Sequence, residues 1–206
     1  MPIALYQFTV DGAADPGYAE ALDLARHCAD QYALNTMFGA GGGIAAASCW
    51  AAVAVVPGAA HPALYPVHAM FAGTPIAPFV PLGFGAVFGN SQMVNIRRQV
   101  VVPGFAGARH AERAALRGAG VAGLALHQIA ANHAVLFVQL SPCGPCTNWL
   151  NGVPGRGAAN PFAAAIAGAL TLNVWYRWPH PAGVPNMVAW NGQTRTNQLN
   201  DINNNW

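Results

Sequence analysis

Residues 133–146 read His-Ala-Val-Leu-Phe-Val-Gln-Leu-Ser-Pro-Cys-Gly-Pro-Cys. The first eight form a nearly continuous apolar run, the pattern of a central strand covered on both faces. Ser141-Pro142 ends it, because proline has no N–H for a ladder. Cys143 and Cys146 follow, three apart, so that one helical turn sets both sulfurs on the same side. A buried strand that breaks into a helix start is the unit from which α/β sheets are built.

The flanking sequence extends the pattern. Downstream, Pro161–Leu170 is Ala-rich and helical in character, Leu172–Trp178 reads as a strand, and Pro179–Pro185 as a loop. Asn186–Trp190 is a further strand able to pair back antiparallel, followed by an Asn-rich tail from Gln193. Upstream, Gly83–Phe88 and Gln92–Val102 are strand-like runs around Gly89-Asn90-Ser91, a hairpin signal. A helix is expected from Arg109 to Arg117, stopped by Gly118. Asp15-Pro16 supplies an N-cap and a first-turn proline for a helix from Pro16 to about Phe38. Val53–Val56 is a short strand, and the Pro-rich stretch Pro57–Pro81 is loop-like. The expected fold is α/β, a mixed sheet of about five strands with helices on both faces. Residues 1–82 are expected to form a helix plus an Ala/Gly/Pro-rich extension packed on a core formed by 83–206.

Composition limits the function classes. The chain has 206 residues, 54% hydrophobic and 8% charged, against about 25% charged in an ordinary soluble domain. That excludes a disordered chain, which needs low hydrophobicity and high net charge. All nine basic residues are Arg and the net charge is +2, so there is no polybasic tail. Any phosphate must be held by the forked donors of Arg. Met1–Tyr6 has no basic segment and Asp11 follows soon after, so no secretory leader is expected. Ala40–Val56, inside a stretch from Gln31 to Ile96 without Asp, Glu, Lys or Arg, is short and weakly apolar for a membrane span and ends at Pro57. It is read as a buried element.

The chemistry lies in two short motifs. His110-Ala111-Glu112 opens the helix after the Gly-rich loop, and Pro142-Cys143-Gly144-Pro145-Cys146 closes the central strand. Together they match H-x-E … P-C-x-x-C, the zinc-deaminase pattern. Catalytic zinc takes three protein ligands and keeps one position open; His110, Cys143 and Cys146 supply an imidazole and two thiolates. His110 and Glu112 would diverge in mid-helix, but a pre-helical His110 leaves Glu112 within reach of the reacting water as a proton shuttle. Cys28 and Cys49 are read as small buried hydrophobes. The competing reading is a structural zinc or a redox pair with His110 incidental. A thioredoxin-like pair would need a βαβ unit directly around the cysteines, and it would leave Glu112 without a role.

On these residues the chain resembles the cytidine-deaminase superfamily, and within it the deaminase domains of bacterial polymorphic toxins, including the double-stranded-DNA cytosine deaminases. The resemblance covers roughly Gly83 to Thr194. It rests on His110-Ala111-Glu112, on Cys143-Gly144-Pro145-Cys146-Thr147-Asn148-Trp149, and on Leu172–Trp178 followed by a Pro/Gly loop and Asn186–Gly192, similar to those toxins' final antiparallel strand pair. Trp178 and Asn186 stand too close for the helical crossover of the tRNA-editing branch. His110, at a position where free cytidine deaminases more often carry Cys, argues mildly against nucleoside salvage. The resemblance implies a three-layer cytidine-deaminase-like fold whose last two strands are antiparallel. It implies zinc on His110, Cys143 and Cys146, with Glu112 catalytic. It further implies hydrolytic deamination of cytosine to uracil in DNA, with double-stranded DNA favoured and single-stranded DNA the second option. Free cytidine or nucleotide is the alternative substrate, and a non-catalytic zinc-stabilised binding module the second alternative. A monomer is expected, not bound to membrane, in a bacterial cytoplasm or delivered into a target cell, with an immunity protein as partner if it is a toxin.

The expected substrate contacts are Phe105, Arg109, Ala111, Ser141, Asn148 and Trp149. Phe105 is a candidate to stack on or intercalate beside an extracted base. Trp149 is read either as core or as a base-stacking ring, and Asn148 either as a turn cap or as a substrate contact. Arg109, Arg113 and Arg117 recur every four residues, forming either a solvated helix face or a phosphate-facing stripe. Arg97 and Arg98 are adjacent on a strand, so only one can face a groove. His127 and His133 are read as ordinary, and Arg195 as part of the polar tail.

Overall fold

The computed structural model describes residues 3–8, 10–26, 28, 49–56, 85–90, 110–121, 123–154 and 158–180. Its strands are β1 (Ile3–Gln7), β2 (Trp50–Val56), β3 (Gly85–Asn90), β4 (Ala125–Leu126), β5 (Gln128–Ala130), β6 (His133–Leu140) and β7 (Thr171–Trp178). Its helices are α1 (18–26), α2 (Ala111–Val121), α3 (Gly144–Leu150) and α4 (Ala163–Gly168). The strands form one mixed sheet in the order β1-β7-β6-β2-β3, with β4 paired to β2 and β5 to β6. β1, β7 and β6 are parallel; β2 is antiparallel to both β6 and β3. This is an α/β architecture.

Strand β6 is the buried central element. From Ala134 to Leu140 every residue is buried. Its alternation divides the core into two layers. Leu136 and Val138 face one cluster with Val53, Val55, Leu172 and Val174, roofed by Ala115, Leu116 and Ala119 of α2, Trp149 and Leu150 of α3 and Ile166 of α4. Val135 and Phe137 face the other with Ala52, Ala54 and Trp175, roofed by Ala21, Leu24 and Ala25 of α1. Helices therefore cover both faces. No described helix is long and apolar enough to cross a membrane.

The chain passes from β6 through α3 and α4 into β7, which returns parallel to β6 with Leu136 beside Val174. The Cys pair thus sits inside a βαβ unit. The first 82 residues contribute β1 and β2 to the same sheet, β2 lying directly between β6 and β3. β1 is an element that periodicity did not single out, since five residues with one buried position carry little alternation.

Several boundaries differ from expectation. The first helix does not begin at Pro16. Asp15 caps a turn instead, accepting Gly12 N–H at 2.9 Å, and Gly17 takes φ +81°, outside the helical region. Nor does Gly118 stop α2, which runs on to Val121. The stop is Gly123 at φ 67°, where Leu124 N–H reaches back to Ala119 O at 3.0 Å, a left-handed cap. Gly120 stays inside the helix because Pro161 lies on it; a Cβ there would meet the proline Cβ at 2.5 Å. β3 pairs with β2; the second hairpin strand expected at 92–102 and the last strand expected at 186–190 lie outside the described residues, as do 57–84.

Gly17 faces the aromatic cluster in which Tyr6 stacks on Trp175 at 5.0 Å and Phe8 leans on it at 4.9 Å. Trp175 Nε1 donates to Pro16 O at 3.0 Å, so the turn and the ring hold each other. A Cβ at Gly17 would collide with Val135 and approach Ile129 Cδ1 to 2.9 Å. Gly17→Ala combines a disfavoured φ with overpacking and should cost about 2–4 kcal/mol. Thermal unfolding should show a fall in Tm of roughly 5 °C or more; an unchanged Tm would refute this account of the turn.

Candidate metal centre

Each donor comes from the end of an element. β6 ends at Leu140, and Ser141 N–H donates to Trp178 O at 2.8 Å, which holds the exit of β6 against the end of β7. Pro142 turns the chain, and Cys143 becomes the N-cap residue of α3 in extended conformation (φ −65°, ψ 162°). Pro145 then occupies the first turn, where its missing N–H has no helical partner to lose. Cys146 and Thr147 N–H both donate to Cys143 O, at 2.9 and 2.8 Å, closing the turn that carries the two sulfurs. On the facing side, His110 precedes α2 and its carbonyl accepts Ala114 N–H at 3.0 Å. His110 is therefore pre-helical, and Glu112 is in the first turn.

The three donors converge. His110 Nδ1 lies 3.0 Å from Cys146 Sγ and 3.4 Å from Cys143 Sγ. One ligand atom from each residue falls within 4.8 Å of the others. Tetrahedral zinc, with Zn–S about 2.3 Å and Zn–N about 2.0–2.1 Å, would set nitrogen and sulfur roughly 3.6 Å apart. The observed 3.4 and 3.0 Å are somewhat shorter, and the three atoms stand close enough together to hold a metal ion. Cys28 and Cys49 are buried and are not part of it.

The groups at the centre shift one another's titration. Cys143 is lowered to about 4, first by its hydrogen bond from Cys146 and, against the effect of burial, by His110. Cys146 is raised, first by that same hydrogen bond and then by burial, with Glu112 adding to it. His110 is raised above its ordinary value, first by its hydrogen bond with Cys143 and further by the charge of Glu112. The Glu112 carboxylate stands 4.0 Å from His110 Nδ1 and is only 3% exposed. An imidazole, two sulfurs and a neighbouring carboxylate around one point suit a divalent cation, and the S₂N donor set suits zinc.

Arg113 joins the two halves. Its guanidinium donates to Pro145 O at 2.7 Å and lies 5.2 Å over the Trp149 ring. At 4% exposure it is inside the protein, which corrects both readings of the Arg stripe at this position: Arg113 is neither a solvated face nor a phosphate contact. Arg117 is half-buried, and Arg109 lies outside the described residues. Trp149 is 2% exposed and its Nε1 donates to Ala158 O at 2.9 Å, which makes it core and corrects its place among the substrate contacts. Ala111 is buried under the start of α2. Ser141 is half-buried, its Oγ accepting His180 N–H at 2.7 Å. Asn148 is exposed, and the residue that caps α3 is Asn151, whose Nδ2 donates to Thr147 O at 2.9 Å. Phe105, Arg97, Arg98 and Arg195 lie outside the described residues. His133 stands at the start of β6, away from the centre, and its Nδ1 lies 3.2 Å from the Asn173 amide.

Comparison with protein-family models, with curated proteins and with solved structures finds no match to this chain. The donor set itself therefore carries the assignment. The purified protein should contain about one zinc per chain, and His110→Ala or Cys143→Ala should each reduce it to near zero by elemental analysis. Zinc retained in either variant would overturn the ligand set. Arg113→Ala should lower stability by about 2–4 kcal/mol in denaturant unfolding, from the lost charged hydrogen bond and ring contact. Arg117→Ala should stay within about 0.5 kcal/mol of the parent.

Proposed function

We propose that this chain is a zinc-dependent hydrolytic deaminase that converts cytosine to uracil, with DNA as the substrate. The observation that carries the reading is the convergence of His110 Nδ1, Cys143 Sγ and Cys146 Sγ with the Glu112 carboxylate at their side. A structural site needs no such carboxylate, and a redox pair alone leaves Glu112 without a role. The metal suggested by the donor set would be held by His110, Cys143 and Cys146, and zinc in such a site supplies Lewis-acid chemistry that activates water.

The residues divide the remaining work. Glu112, buried beside the donors, takes the proton of the attacking water and delivers protons to the ring nitrogen and the leaving amine. Its enclosure keeps the carboxylate aimed at one point. Arg113 fixes the spacing between the helix of Glu112 and the turn of the cysteines, through Pro145 O and Trp149. Pro142, Ser141 and Trp178 fix the depth of that turn at the carboxyl ends of β6 and β7, where open α/β sheets bind their ligands.

DNA is favoured by the resemblance of the two motifs to nucleic-acid-acting deaminases. Free cytidine or nucleotide is the second reading, and a specific observation favours it: Arg113 and Trp149, two residues suited to holding a polymer, are both buried. The test is to incubate the zinc-loaded protein with matched single-stranded DNA, duplex DNA, RNA and free cytidine and to score uracil. Activity on DNA is expected, weakening as salt rises because phosphate contacts release counterions. Equal efficiency on free cytidine would replace DNA as the substrate. Glu112→Ala should keep its zinc and lose activity by about 10²–10⁴-fold; loss of the metal in that variant would refute its role as a proton carrier.

A further inference from the structure

We propose a second, metal-independent activity for the same cysteines: Cys143 and Cys146 form a thiol–disulfide exchange pair that closes to a disulfide when the metal is absent. The inference does not rest on deamination. It rests on the βαβ unit around the pair, on their unequal exposure, and on the turn that joins them. β6 and β7 run parallel with α3 and α4 between them, and Cys-x-x-Cys beside a βαβ unit is the setting of redox-active pairs.

The turn permits closure. Cys146 N–H donates to Cys143 O at 2.9 Å, and a turn closed in this way keeps its end Cα atoms within about 7 Å. A disulfide spans Cα separations of about 4.4–6.8 Å. The two sulfurs already lie within 4.8 Å of each other. Access is graded. Cys143 is half-buried, Gly144 and Pro145 are exposed, and a Cβ on Gly144 would meet nothing within 4 Å. Cys146 is fully buried. An outside disulfide can reach Cys143 and not Cys146, so one sulfur attacks and the other resolves.

The exchange balances with a low-molecular-weight disulfide as oxidant. Cys143 gives its proton to solvent and its sulfur attacks one sulfur of the disulfide; that S–S bond breaks, and the first thiolate leaves with the electron pair and takes up a proton. Cys146 then attacks Cys143 Sγ in the mixed disulfide. The mixed S–S bond breaks, and the second thiolate departs with the electron pair and takes up the proton released by Cys146. The chain loses two electrons and two protons, and the disulfide becomes two thiols. Because both sulfurs are spent in the new bond, disulfide and metal are mutually exclusive occupants of one site.

The test uses the full chain, with zinc removed by a chelator and folding checked by circular dichroism, exposed to oxidised glutathione. Intact mass should show the loss of two hydrogens, peptide mapping should place the link between Cys143 and Cys146, and dithiothreitol should reverse it. Cys146→Ser should stop at a glutathione adduct on Cys143. The zinc-loaded chain should close at least ten times more slowly. If the chelated chain unfolds, the loaded chain is used instead, and zinc release to an indicator dye should rise in step with the Cys143–Cys146 link. An unchanged mass, a persistent adduct on the parent, or a link through Cys28 or Cys49 would overturn the inference. Because the readout is mass or zinc release, a chain that deaminates without closing refutes only this inference, and one that closes without deaminating refutes only the proposed function.

Discussion

The pairing of β6 with strands on both of its sides sets the geometry of everything at the centre. With β2 antiparallel on one side and β7 parallel on the other, it is paired along both edges. Its side chains are buried on both faces. Such a strand has no freedom to shift, because a one-residue slip would exchange the two core layers. The residue that leaves it, Ser141, is therefore placed at a defined height on the rim. Cys143 and Cys146 inherit that height through a single turn. A metal centre built from a loose loop would lack this origin.

The second half of the centre is brought in by α2, which packs across the same face of the sheet. Ala111, Glu112 and Arg113 are consecutive and all buried. Successive positions on a helix point about 100° apart, so burial of three in a row means that the start of α2 is enclosed nearly all round. Each of the three has a different neighbour to satisfy. Ala111 belongs to the core cluster, Glu112 faces His110 and Cys146, and Arg113 turns to Pro145 O and the Trp149 ring. A buried carboxylate and a buried guanidinium are each expensive to take out of water unless partnered. Glu112 stands beside His110 and Cys146, and the Arg113 guanidinium donates to Pro145 O, so each is partnered at the Cys turn.

That arrangement explains why one site can be read in two chemical states. Two thiols three residues apart, with an imidazole in contact with both, either give up their protons to a cation or give up electrons to an oxidant. The same closeness serves both outcomes. In the proposed reactions the metal-bound state uses Glu112 and the disulfide state does not.

The sequence by itself determined the local features. The apolar run 133–140, the Pro142 break and the Cys spacing each act over a few residues, and the strand, the turn and the helix start all stand where those residues put them. The pairing of His110 with Cys143 and Cys146 was legible because three unusual donors with a recognisable order are rare in a chain with only four Cys and 8% charged residues. Tertiary structure alone decided the rest. The four-residue spacing of Arg109, Arg113 and Arg117 marks a helix stripe, but not whether the stripe meets solvent or another helix, and α3 covers it at Arg113. Trp149 next to the ligand motif could face either way until α3 packed on the sheet. β1 could not be read from Ile3–Gln7, because an edge strand owes its existence to its partner β7, which is more than 160 residues away in the chain. Gly17 and Gly123, not Asp15-Pro16 or Gly118, set helix ends, since a positive φ is selected by the path the chain must take between packed layers, and one-dimensional spacing carries no record of that path.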